Sequence, residues 1–175
     1  MSLFLKTNPV GIDKLINTKM IQLSKKLELF NIDIYGRLYE LDKKRPFAKI
    51  EANSLKNNYA DIFNDDSRNI CAFIVSNNET ISGQNNLAKV QIDVVFTLNL
   101  DKILTSKERE DEEIKLLAFH AVNSALWNVV SVKKTIPEIF SNFDISDLKI
   151  ADYHPYFNFS FQCEVFYNLN ECVTI

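Results

Sequence analysis

The chain has 175 residues, 46% of them hydrophobic and 25% charged, with a formal charge of -3. At this length a single domain hides roughly 70% of the surface its unfolded chain exposes, so a core forms without disulfide or metal staples. The small negative charge excludes a broad field for nucleic acid or an anionic membrane, and no apolar stretch is long enough to span a bilayer.

The opening "MSLFLKTNPVG" carries one lysine and a very short apolar run, which does not match a secretory signal. Cys71, Cys163 and Cys172 are an odd number without CxxC spacing. They read as buried, reduced thiols of a protein made in the cytosol. Gly11, Gly36 and Gly83 are the only glycines, and they are far apart. Phosphate cradles, dinucleotide turns and nucleophile elbows need clustered glycines, so none of these can be built here.

Residues 12–30 predict an amphipathic helix, with Ile12, Leu15, Ile16, Met20, Leu23, Leu27 and Phe30 at spacings of three and four. "IDIYGRLYEL", 32–41, predicts a strand with Ile32, Ile34, Gly36 and Leu38 on one face and Tyr35, Arg37 and Tyr39 on the other. The tyrosines and arginine read as strand residues with their polar tips in water, or else as a contact surface. "DKKRP" then turns the chain, and "FAKIEA", 47–52, returns as the second strand of a hairpin. Residues 53–69 read as a polar excursion with a short helix around Leu55–Phe63.

"ICAFIV", 70–75, predicts a buried central strand, and 76–88 a long polar loop. "KVQIDVVFTLNL", 89–100, alternates most clearly: Val90, Ile92, Val94, Phe96, Leu98 and Leu100 share one face. Thr105 and Glu108 then form a capping box. The acids from Glu108 to Glu113 suit a helix start, and an alanine-rich stripe carries the helix to about Val130. "TIPEIFSNF" holds one helical turn, "DLKIADY", 147–153, a strand, and "FNFSFQCEVFY", 157–167, a final strand in which Phe166 alone is out of step. The expected architecture is one α+β domain over 1–175, with polar excursions at 53–69 and 76–88. It has a single antiparallel or mixed sheet with two long helices on one face.

No chemistry emerges from the titratable residues. His120 and His154 make no HxxxH pair, and Asp147, Asp152 and His154 are the nearest approach to a metal cluster. Cys163 shares its face with phenylalanines, so a Cys163–His154 nucleophile pair gives way to burial. Trp127 and the aromatics from Tyr153 to Phe159 lack the interleaved basic residues of a base-stacking surface. The expectation is no enzyme, no cofactor, no metal, no small-molecule substrate and no membrane. Contact surfaces remain. Lys43, Lys44 and Arg45 form a basic hairpin tip, and Glu108, Glu110, Asp111 and Glu112 an acidic helix start. In a ring each subunit uses two different patches, so the tip of one copy would meet the helix start of the next. Phe166 is a further candidate for facing a neighbour.

The helix at 12–30, the strand "KVQIDVVFTLNL" leading into a long helix, and the ending "DLKIADYHPYFNFSFQCEVFY" together resemble the neck and tail-completion proteins of tailed bacteriophages. These are tail terminators and head–tail connector rings, including those of the crAss-like phages. The resemblance is architectural and implies a virion structural protein, made in the host bacterial cytoplasm. It would form a ring of six or twelve copies between portal and tail, touching other neck or tail proteins and making non-specific contact with DNA in the lumen. It implies no catalytic residue. Two other readings stand beside it: a non-viral α+β binding or adaptor module acting as a dimer, and a small enzyme with dispersed residues.

Overall fold

The computed structural model describes residues 1–41, 45–50, 58–61, 68–82, 86–103, 111–125, 127–146 and 150–169. The strands are β1 (Leu3–Phe4), β2 (Ile32–Leu41), β3 (Arg45–Ile50), β4 (Asn58–Asp61), β5 (Asn69–Ser82), β6 (Leu87–Asn99), β7 (Asn128–Lys133) and β8 (Tyr156–Asn168). The helices are α1 (Ile12–Lys26), α2 (Asp111–Ser124) and the single turn α3 (Ile136–Ile139). The sheet order is β4-β3-β2-β5-β6-β8-β7, with β1 also paired to β2. The β1–β2 and β2–β5 pairs are parallel and the others antiparallel. The fold is α+β with one mixed sheet.

Both long helices pack on one face. Ile16, Met20, Leu23 and Leu27 of the first helical region and Ile114, Ala118, Ala121 and Val122 of α2 join one buried cluster. Beneath them lie Val90, Ile92, Val94, Phe96 and Leu98 of β6, the alternation expected from the sequence. From β8 come Phe159, Phe161, Cys163 and Val165, with Phe157 and Tyr167 packed at the margin. All of β6 pairs with all of β8, from Leu87↔Asn168 to Asn99↔Tyr156. Phe96 stacks on Phe159 at 5.0 Å and meets the edge of Phe161 at 6.0 Å. Full burial of each such ring is worth about 1.5–3 kcal/mol. A second cluster lies on the other face, where Ile136, Ile139 and Phe140 cover Tyr35, Leu38, Ile70, Ala72, Ile74 and Val95. α3 begins with a capping box between Thr135 and Glu138.

Several elements depart from the sequence reading. The first helix ends at Lys26, and a tighter turn at Glu28–Phe30 follows. Asn31 closes it in the left-handed region at φ 48, which asparagine tolerates. In β2 the register shifts between Ile34 and Arg37. The bulge sends Ile34 to the helix-covered cluster and both Tyr35 and Leu38 to the opposite one, since an extra residue reverses the side-chain alternation. Tyr35 is therefore buried rather than tipped into water. Phe4 stacks on it at 4.3 Å, and its hydroxyl accepts a hydrogen bond from Arg68 Nη1 at 2.8 Å.

The helix expected around 55–63 is replaced, over its described part, by β4. This strand covers the outer edge of β3 through the pairs Phe47↔Asp61 to Ile50↔Asn58. The loop expected over 76–88 is largely strand: β5 continues past a bulge between Val75 and Glu79 and pairs Ser82 with Leu87. Its backbone ladder, not an apolar run, makes it regular. α2 ends at Ser124, and the residues read as its tail form β7. Val129, Val130 and Val132 are β-branched and suit a strand. Residues 150–152 hold no strand. Instead the Ala151 carbonyl accepts from Asn158 Nδ2 at 2.9 Å, and Ile150 packs on the second cluster.

Candidate interaction surface

Among the described residues one flank of the molecule ends on an open sheet edge, where β7 pairs only with β8 and its ladder is interrupted by a bulge between Val129 and Ser131. Val132 points to the helix-covered side beside Phe161, its partner on β8. α2 runs alongside and presents Leu116 and Phe119. Between helix and edge strand lies a groove of about 400 Å³, lined by Leu116, Phe119, Val132 and Phe161 and rimmed by Glu112, Glu113 and Lys115. Leu116 is 55% exposed and Val130 47%. An edge ladder beside exposed aliphatic side chains is what association uses and what solitary proteins blunt.

The opposite flank differs. Lys19 on α1 donates from Nζ to the Ala125 carbonyl at 2.7 Å and sits 5.7 Å from the centre of the Trp127 ring. That side of α1 faces α2. Ile21, two residues on, lies across the helix at 42% exposure. Lys14 and Lys25 are exposed along the same stripe. Beside it, Lys6, Asp13 and Tyr39 tie the first segment, α1 and β2 together: Asp13 Oδ2 accepts from Lys6 Nζ at 2.6 Å and from Tyr39 Oη at 3.2 Å. The Asp13 carboxylate holds the Lys6 ammonium above its ordinary value, and burial pushes the Tyr39 phenol up. Both groups grip their protons more tightly, the reverse of an activated lysine or tyrosine.

A second ion pair lies under the other sheet face. Lys133 Nζ contacts Asp93 Oδ2 at 2.6 Å, across β8. Burial raises the Asp93 carboxyl, opposed by the Lys133 ammonium. The two described thiols are held protonated: burial drives Cys71 far up, and burial with the Asp93 charge pushes Cys163 up to about 12.

The predicted site residues are dispersed. Lys43, Lys44, Glu108 and Glu110 lie outside the described residues, so the expected pairing of hairpin tip and helix start has no geometry. Arg45 opens β3, and Asp111 and Glu112 open α2. Glu112 pairs with Lys115 and lies 3.7 Å from Lys134 Nζ. Its carboxyl is held down mainly by the hydrogen bond from Lys115. Phe166 is 58% exposed and pairs across strands with Lys89, on the face opposite the two long helices. Among the described residues no group of three or more His, Cys, Asp and Glu could hold a metal ion. Asp147 is outside them. Cys163 is fully buried, whereas Asp152 and His154 are exposed, so the nucleophile pair is not assembled. Trp127 is 1% exposed and stacks on Phe73, which removes it from any base-stacking surface. Leu116, Val130 and Val132 were not singled out by the sequence reading, and Leu117, which it placed on the apolar stripe of the helix with Ile114 and Ala118, is 45% exposed instead. Their signal was the β-branched "VVSV" run and a leucine pair wider than one helical stripe.

Comparison with known proteins returns no match: no family model fits the chain, and no curated protein or solved structure is significantly similar to it. Among the described residues no helix is long and apolar enough to cross a membrane.

Proposed function

We propose that this chain is a self-assembling structural protein that forms a closed ring, in the manner of the head–tail connectors and tail terminators its sequence resembles. The observation that supports the assembly reading is the open edge of β7 beside the apolar groove under α2. The α1 flank carries a different, basic surface. Unlike flanks favour head-to-tail contacts, and such contacts close into rings when the rotation allows. The setting, at the portal–tail junction of a virion around the DNA passage, rests on the resemblance alone. So do contacts with portal, neck or tail proteins and the absence of catalysis.

The second reading is a dimeric adaptor. It draws on the same edge, because β7 of two copies can pair antiparallel about a twofold axis. Native mass of the purified chain, measured over a range of concentrations at low and high salt, separates the two. A discrete species of six or more copies is the expected result. A dimer that never grows would transfer the edge to the adaptor reading, and a monomer at every concentration would remove the assembly reading.

A further inference from the structure

We draw no further inference here: the strongest candidate, the apolar groove between α2 and the edge strand β7, lined by Leu116, Phe119, Val132 and Phe161, carries none because nothing in the structure shows what covers it.

Discussion

Lys133 Nζ lies 2.6 Å from Asp93 Oδ2, reaching from the edge strand over β8 to β6. The pair pins the outermost strand to the second strand inward. Asp93 Oδ1 has no protein partner, so Lys133 is the charge that offsets burial of this carboxylate. Removing one partner of a buried pair costs more than removing both. Lys133→Met should therefore cost about 2–4 kcal/mol at neutral pH, and the Asp93→Leu/Lys133→Met pair clearly less. Urea denaturation midpoints of the three proteins decide this.

The same pair sets a pH dependence. Burial raises the folded-state value of Asp93 above the ordinary 3.8. A raised carboxyl contributes stability that is present below its unfolded value and lost as pH rises through the folded one. Lys133→Met removes the opposing cation and lifts the carboxyl further. Its deficit should thus be largest at neutral pH and shrink as pH falls toward the ordinary aspartate range. Denaturation curves along a pH series would show it, and a deficit that grows on acidification contradicts the assignment.

Cys71 and Cys163 are buried, and their raised values leave almost no thiolate near pH 8. In a Cys172→Ser background, native protein should show no fast reaction with a thiol reagent, and two thiols should appear on unfolding in denaturant. One fast-reacting thiol in the native state would mean that one of these strands opens locally.

Phe159 stacks on Phe96 and packs at a tilt against Phe157 on the helix-covered face, and it is fully buried. Phe159→Ala should cost about 3–5 kcal/mol, the loss of a buried ring plus its cavity. Phe166, on the opposite face of the sheet and 58% exposed, is the contrast. Phe166→Ser should change stability by no more than about 0.5 kcal/mol. Thermal melts of both variants provide the comparison, and a large loss at Phe166 would mean that its ring is covered.

What could be read in the sequence divides along physical lines. β6 and β8 were legible because one face is buried throughout, and burial imposes strict alternation on Val90–Leu98 and Phe157–Val165. α1 was legible for the same reason at helical spacing. β7 was not, because four residues of "VVSV" after an alanine-rich helix satisfy either period. The inversion in β2 was hidden because a bulge beside Gly36 leaves no trace in composition. β4 exists through pairing with β3 rather than through its own side-chain pattern. The groove was missed because its floor is tertiary: Phe161 was rightly assigned to the core, and only the end of the sheet at β7 leaves it at a margin.

β8 comes last in sequence among the described strands, yet it lies inside the sheet, between β6 and β7. Until it is added, β6 has a bare side and β7 has no neighbour. This half of the molecule is consequently a keystone structure, closed by a long-range pairing whose partners, from Asn99↔Tyr156 to Leu87↔Asn168, lie 57 to 81 residues apart in the chain. Such non-local closure is slow compared with helix formation. A nascent chain would therefore expose the β6 ladder and the β7 valines together, the two strands most prone to pair with the wrong copy before the right strand arrives.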